Sequence, residues 1–439
     1  MTQARPMNIL LVSLDDCLAW HRHARDFGEP LRTPNLDRIA AVSAQFRAAY
    51  CQVPICGPSR ASFMSARTPH ETGIFTNEDD VFERLDATAM WPYRLKAAGW
   101  FCSSGGKVHH GYKPLRRRIH EVLYSDGQKR FGDDMSLPPG VARRKYGGIR
   151  GGWGTTDEKD DHIFYDAQSS ASAIDFLQTY DGAAPFYREV GFFSPHGPRF
   201  TPARFKDMYD VTRFHPPEAW ADGHDETAFS RQFMPETERL SGGDLDWWRA
   251  NVRNYFAALS HGDHHLGRVW DALKASRHAG NTLVVILSDH GFLLGARNRF
   301  YKSTLWEPSV GVPLIVHDPT RPARAIEDPV ALIDVGPTVL DYAGLEAIPD
   351  TRGRSLRPLV EGGDMPPRAI PSFRNDSVTV RSGRYRIIRY GDGSWQLFDL
   401  ETDPWTLRDL GPAHPAFAEM ERILHETCRE WGAELPATG

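Results

Sequence analysis

Short continuous apolar runs alternate with helix-length amphipathic stretches along this chain, the pattern of a mostly parallel sheet buried on both faces. The clearest strands are expected at Ile9–Leu14, Trp100–Ser103, Phe186–Phe193, Leu283–Leu287 and Pro313–Val316. Helices are expected between them. One follows Thr33-Pro34, a cap with proline at the first helical position. Others run from about Pro92 to Ala98, over Ala167–Leu177 and over Trp247–Leu273. From Val378 the text alternates instead: Val378–Arg381, Arg384–Tyr390, then Gly391-Asp392-Gly393, then Trp395–Leu400. That predicts an antiparallel meander with an Asp-Gly turn. A last helix, about Ala416–Trp431, closes the chain. The fold class is therefore α/β: a large central, mostly parallel sheet flanked by helices, then a small C-terminal antiparallel sheet plus helix. The Pro/Gly-rich stretch Glu361–Pro371 marks the boundary. It divides the chain into a large α/β unit, residues 1–364, and a C-terminal unit, residues 365–439.

Composition narrows the class of partner. The 439 residues carry 52 Lys/Arg against 57 Asp/Glu, a net charge of −5, which argues against gripping nucleic acid or an anionic membrane. No stretch approaches the ~20 apolar residues of a membrane helix. The apolar run Asn8–Leu14 leads straight into Asp15-Asp16, where a signal peptide needs a small-residue cleavage site. Five cysteines are too few, and odd in number, for a disulfide framework. A soluble, cytoplasmic protein of bacterial style with reduced thiols is expected. One segment departs from the average. Lys113–Arg150 holds ten Lys/Arg against four Asp/Glu. It reads either as a solvated loop or homo-oligomer contact, or as a basic wall that draws in an anionic substrate.

Candidate chemistry gathers at strand ends, where open α/β sheets bind ligands. Asp15-Asp16 ends the first strand, and Ser288-Asp289-His290-Gly291 ends the strand Leu283–Leu287. Three carboxylates and a histidine on one edge make an oxygen-rich divalent-metal site, with Asp15, Asp16, Asp289 and His290 as ligands. The third piece is Cys56-Gly57-Pro58-Ser59-Arg60. Pro58 suits a first helical turn, which places Cys56 at a helix N-terminus, where an anion is favoured. Arg60 could add a two-pronged grip on a tetrahedral oxyanion. Three intervening residues are too few for a cysteine-phosphatase loop.

The Cys-x-Pro-Ser-Arg run, with Asp-Asp early and Asp-His-Gly late, resembles the type I sulfatases of the alkaline-phosphatase-like superfamily. The resemblance spans Met7 to about Gly411. In motif it is nearest the iduronate-2-sulfatase and choline-sulfatase branches. It implies that a formylglycine-generating enzyme oxidises Cys56 to formylglycine, which joins the metal ligands. It implies Lys107 and Lys302 as ammonium groups on the sulfate, from Gly106-Lys107-Val108-His109 and Tyr301–Glu307. His109 is expected to touch the formylglycine hydroxyl. His196, in Ser194-Pro195-His196-Gly197-Pro198, is expected beside the leaving oxygen. The single divalent cation is calcium by resemblance, with magnesium and manganese open. Two departures from the family stand out. Met64-Ser65-Ala66-Arg67 replaces Leu-Thr-Gly-Arg, and Arg297 and Arg299 replace an acidic-and-histidine edge, which predicts a more cationic pocket rim.

The activity so implied is hydrolysis of a small anionic sulfate monoester, organic or sugar, through the formylglycine hydrate. The catalytic set is Cys56, Arg60, Lys107, His109, His196 and Lys302. One alternative is a phosphonate monoester or phosphodiester hydrolase using the same site. Another is an unmodified, inactive oxyanion-binding protein.

Overall fold

The computed structural model describes residues 7–132, 138–148, 151–233 and 235–435. The first apolar run forms β1 (Asn8–Leu14), buried along its whole length. Its alternate side chains enter two different cores: Ile9 and Leu11 one, Leu10, Val12 and Leu14 the other. A strand needs this double burial only at the centre of a sheet. The remaining strands are β2 (Ala44–Tyr50), β3 (Phe101–Gly106), β4 (Arg143–Lys145), β5 (Trp153–Thr155), β6 (Phe186–Gly191), β7 (Thr201–Pro202) and β8 (Thr282–Ser288). They continue as β9 (Gly311–His317), β10 (Arg324–Ile326), β11 (Val330–Ala331), β12 (Ile370–Arg374), β13 (Ser377–Ser382), β14 (Tyr385–Arg389) and β15 (Trp395–Asp399).

The large sheet has the order β10-β2-β9-β8-β1-β6-β3, with β11 also on β2. All its pairings are parallel except those of β9, which runs against both β8 and β2. That one reversal has a consequence. β8 ends and β9 begins at the same edge, so the whole connection Asp289–Val310 stays over the carboxyl ends of the parallel strands. Strand β2 escapes the sequence pattern because Ala44, Ala48 and Ala49 supply little apolar signal and Gln45 and Arg47 interrupt it.

The expected helices form, as Pro34–Ala40, Trp91–Ala97, Tyr165–Thr179 and Leu245–Ala275. Thr33 does not cap the first of them with its side chain. Asp263, from the longest helix, does so instead: its carboxylate accepts from Asn35 N at 3.1 Å and Leu36 N at 2.6 Å. No helix of the described residues is long and apolar enough to cross a membrane. All five cysteines are free and buried.

The C-terminal meander β12-β13-β14-β15 is antiparallel throughout and carries the helix Phe417–Glu430. Its first strand, β12, contains Pro371, which an edge strand tolerates. This sheet does not stand apart. Phe373 N donates to Gln52 O at 2.8 Å and Ser372 Oγ to Cys51 O at 2.5 Å, fastening β12 to the loop before Cys56. Side chains of β13, β14 and β15 complete both cores of the large sheet. Part of the basic segment, residues 133–137 and 149–150, lies outside the described residues. Elsewhere in it Arg116 pairs with Asp80, Arg117 with Glu121, Lys129 with Asp126 and Arg144 with Asp207.

Glu307 clasps the two sheets. Its carboxylate accepts from Arg22 at 2.7 Å, Tyr50 at 3.0 Å and Arg386 of β14 at 2.9 Å. Burial alone would raise its pKa, but Arg386 and Arg22 outweigh that and hold it down at about 2. Because the folded value is depressed, the stabilisation is whole above the ordinary 4.5 and is lost as pH falls through about 2. Glu307→Gln leaves the buried Arg386 guanidinium, and the partly buried one of Arg22, without their anion and is expected to cost about 3–5 kcal/mol in chemical denaturation. It should also remove part of the acid sensitivity of stability between those pH values; a variant with unchanged stability and acid profile would contradict the clasp.

Candidate active site

Five parallel strands deliver the functional side chains to one edge, and the β8–β9 connection adds the rest. Asp15 and Asp16 follow β1. Neighbours on a strand point to opposite faces, but Asp16 has a left-handed φ of 65°. This conformation, which Asp tolerates better than most residues, turns the two carboxylates toward one point. The backbone there is held by Asp289, whose Oδ1 accepts from Asp16 N at 3.2 Å, and by Tyr255, whose hydroxyl donates to Asp16 O at 2.5 Å.

Cys56 opens the helix Cys56–Ser65 after β2, as the position of Pro58 predicts. Gly57 N donates to Asn77 Oδ1 at 2.8 Å, so Asn77 satisfies one of the free amides at the helix start. The Cys56 Sγ lies 3.3 Å from His290 Nε2, 3.5 Å from Asp15 Oδ1 and 2.9 Å from Lys302 Nζ. Asp15, Asp16, Cys56 and His196 each offer a ligand atom within 4.8 Å of the others, as do Asp15, Cys56, Asp289 and His290. His290 is prepared for such a role. Its Nδ1 can only donate to the Gly291 carbonyl, 3.0 Å away, which leaves Nε2 with a lone pair toward the carboxylates.

The lysines lie on these carboxylates. Lys107 Nζ donates to Asp15 Oδ2, and Lys302 Nζ to Asp16 Oδ1 at 2.5 Å. Burial pushes both carboxyl groups up. For Asp15, Lys107 with Arg60 and Lys302 more than cancels it and holds the group well below the carboxylate range. For Asp16, Lys302 is the main counter-charge and the group is held at about 2. Lys107 reaches the site because β3 and β6 approach closely where both end in glycine. A β-carbon on Gly191 would sit 2.2 Å from the Lys107 backbone, and one on Gly106 would strike the Gly191 carbonyl.

Arg60 does not present the free fork that the sequence suggested. It is 1% exposed and its donors are committed to the protein. Nε donates to Asp289 Oδ2 at 2.9 Å, Nη1 faces the carbonyls of Lys107 and Val108 at 2.8 Å, and Nη2 donates to Leu14 O at 3.2 Å. It ties together the ends of β1, β3 and β8. Arg297 and Arg299 are not at a pocket rim either. Arg297 is buried over Trp306 and donates to the carbonyls of Thr406 and Asp225. Arg299 pairs with Glu226 at 2.6 Å. Arg297 serves the junction with the C-terminal segment and Arg299 is spent in a buried ion pair, so the expected cationic rim is absent there.

The two adjacent histidines diverge. His109 turns inward: its Nε2 lies 3.0 Å from Tyr124 Oη, whose proton goes to Glu189 at 2.7 Å. Burial, with Arg60 and His120, pushes its pKa down to about 3. It makes no hydrogen bond to Cys56. His110 instead lies against the start of the Cys56–Ser65 helix, where a β-carbon on Gly57 would be 3.5 Å from its ring. The ring is exposed on its outer side, yet its partial burial, then Lys107 and Arg60, lowers its pKa to about 4, and it senses Asp15 and Asp289. His196 is held by the loop after β6, where Asp166 accepts from Phe193 N at 2.5 Å and Ser194 N at 3.1 Å. Its Nδ1 is 3.2 Å from Tyr112 Oη.

Sequence reasoning thus placed Asp15, Asp16, Cys56, Lys107, His196, Asp289, His290 and Lys302 at one point, and the structure brings these together. It missed Asn77, His110 and Tyr112. The doubled histidine was a visible signal, but spacing alone does not say which ring lies against the start of the Cys56 helix; Asn77 had none. Beside the site opens a cavity of about 750 Å³ bounded by residues 77–82, 109–116, Ile119, Arg130 and Phe131. It is lined by the cations Lys113, Arg116 and Arg130 and the acids Glu78, Asp79 and Asp80, of which Arg116 and Asp80 pair at 2.9 Å. A larger groove, about 1620 Å³, runs between the large sheet and the C-terminal meander. Most of its arginines are already paired, as in Arg22–Glu307, Arg47–Glu327 and Arg384–Asp399.

Comparison with known proteins agrees with this geometry. The sulfatase family model matches residues 7–345, and that of the N-sulphoglucosamine sulphohydrolase C-terminal region matches residues 295–433. A sulfatase of Formosa agariphila is 30% identical, with 97% of this chain and 88% of that one covered. A choline-sulfatase of Rhizobium meliloti is 28% identical, covering 93% and 83%. Among solved structures, the phosphonate monoester hydrolase of Silicibacter pomeroyi superimposes with a TM-score of 0.76 at 20% identity, covering 98% of this chain and 96% of that one. That likeness concerns the alkaline-phosphatase-like fold. With a family model covering most of its length and a relative at 30% identity over nearly all of it, the chain belongs to the sulfatase family.

Proposed function

We propose that this chain hydrolyses the sulfate monoester of a small organic or sugar alcohol, releasing alcohol and inorganic sulfate, with residue 56 as nucleophile. The observation that carries the reading is the seating of Cys56 at the start of its helix, 2.9 Å from the Lys302 ammonium and within reach of three buried carboxylates and His290. Oxidation of Cys56 by a formylglycine-generating enzyme would supply a hydrated aldehyde, with one hydroxyl to attack sulfur and a second through which sulfate departs. Cys56 is 1% exposed, so that conversion has to precede closure of the fold.

The donor set fits a hard divalent cation: three buried carboxylates and one neutral imidazole nitrogen, with no thiolate pair. Asp15, Asp16, Asp289 and His290 would hold it, and it would supply positive charge against the sulfate oxygens. Calcium suits this oxygen-rich set, and magnesium and manganese compete for the same donors. Lys107 and Lys302 bind the sulfate oxygens and neutralise charge that would repel the nucleophile. Arg60 acts beneath them by fixing Asp289 and the Lys107 backbone. His196 stabilises the leaving oxygen by donating through a ring N–H. The proton at residue 56 falls to His110 rather than His109, because His110 packs on the helix start while His109 is bonded to Tyr124.

Mass spectrometry of the peptide spanning residue 56 is expected to show formylglycine, and Cys56→Ser should abolish turnover while leaving the fold intact. Unmodified cysteine throughout protein from the native host would defeat the reading. Side-by-side turnover of an aryl sulfate and an aryl phosphonate ester is expected to favour the sulfate in kcat/KM; preference for the phosphonate by orders of magnitude would replace sulfatase with phosphonate hydrolase. Asp289→Asn should weaken calcium binding about 10–100-fold in calorimetry. His110→Ala is expected to lower kcat by about 10²–10⁴-fold. His109→Ala should act mainly on stability, since it opens the buried Tyr124–Glu189 chain; the opposite ranking of the two in kcat would restore His109 to the site.

A further inference from the structure

Tyr112 stands between two groups that the proposed reaction uses at opposite ends of the substrate. Its hydroxyl is 3.3 Å from Lys107 Nζ, on the sulfate side, and 3.2 Å from His196 Nδ1, on the leaving-group side. The Lys107 ammonium also sits over its ring, 4.7 Å from the centroid. The ring itself is fixed by Phe193 at 5.0 Å and by Tyr165 edge-on at 6.1 Å, and Tyr165 donates its hydroxyl to Tyr112 O at 3.3 Å. Burial raises the Tyr112 pKa despite Lys107, so the group is a phenol.

Donor and acceptor rules then set the direction of the chain. An ammonium can only donate, so the phenol oxygen accepts from Lys107. The phenol O–H is free to donate to His196 Nδ1. An imidazole that accepts at Nδ1 carries its hydrogen at Nε2. We infer that Tyr112 is a positioning residue for the leaving-group step, holding the His196 ring with its N–H at Nε2 and tying it to the sulfate-binding Lys107. The inference rests on the sulfatase reading for the role of His196, but the hydrogen-bond direction does not.

The test uses Tyr112→Phe, which keeps the packed ring and removes only the hydroxyl. A series of aryl sulfates from 4-nitrophenyl to phenyl, with one alkyl sulfate, reads charge on the leaving oxygen. The loss in kcat/KM should be small for 4-nitrophenyl sulfate and grow to about 10–100-fold for the phenyl and alkyl esters. Tyr112→Phe combined with His196→Ala should be no worse than His196→Ala alone. An equal loss for every leaving group, or a double variant that loses the product of the two, would overturn the inference. Nitrogen-15 imidazole spectra of the wild-type protein should show His196 protonated at Nε2 and accepting at Nδ1, with mixed tautomers in Tyr112→Phe. A hydrogen on Nδ1 in the wild type would refute it independently. If the wild type turns over no aryl sulfate, the sulfatase reading fails and the spectra, which need no substrate, still decide the direction of the bond.

Discussion

Three carboxylates are buried within reach of one another at the carboxyl edge of the large sheet, and the surrounding structure answers their charge. Burial alone would drive protons onto Asp15 and Asp16. Lys107, Lys302 and Arg60 keep them ionised, and these three cations come from three different segments of the chain. The same requirement explains why Arg60 is committed to Asp289 and to backbone carbonyls rather than left open to substrate. A guanidinium whose donors are all engaged is rigid, and rigidity here holds the ends of β1, β3 and β8 in one geometry.

Topology makes this convergence feasible. Parallel strands bring Asp15, Cys56, Lys107, His196 and Asp289 to the same edge. The reversed strand β9 keeps the connection Asp289–Val310 above that edge, which is how Lys302 comes to lie 2.9 Å from Cys56. The C-terminal sheet is part of the same arrangement. Its edge strand holds the loop that precedes Cys56, and Arg386 pairs with Glu307 in the turn that leads into β9. The meander therefore supports Cys56 from behind while contributing none of the converging groups.

Legibility of the site followed the locality of each signal. The motif around Cys56 and the two acidic strand ends could be read because strand, cap and helix start are written in consecutive residues. Arg60, Arg297 and Arg299 were misjudged for one common reason. A sequence shows a cation but not its partners, and all three are spent on Asp289, Thr406, Asp225 or Glu226, which lie far away along the chain. Strand β2 was missed because alanines at its buried positions carry too little apolar contrast. Thr33 lost the capping role to Asp263, a carboxylate that only the packing of the long helix brings near.

What the sequence determined by itself was the fold class, the strand ends and the inventory of chemical groups, since these depend on periodicity and on short motifs. What only the tertiary structure decided was the direction of side chains at those ends. His109 and His110 are adjacent and identical in kind, yet one enters the buried chain to Tyr124 and Glu189 while the other lies against the start of the Cys56 helix. Their separation depends on β3 packing against β6 and on the left-to-right order of the sheet, contacts between residues distant in the chain. The junction of Lys107, Tyr112 and His196 is of the same kind, because it joins the loop after β3 to the loop after β6. Local patterns specify which groups are available; long-range packing sets where each one points.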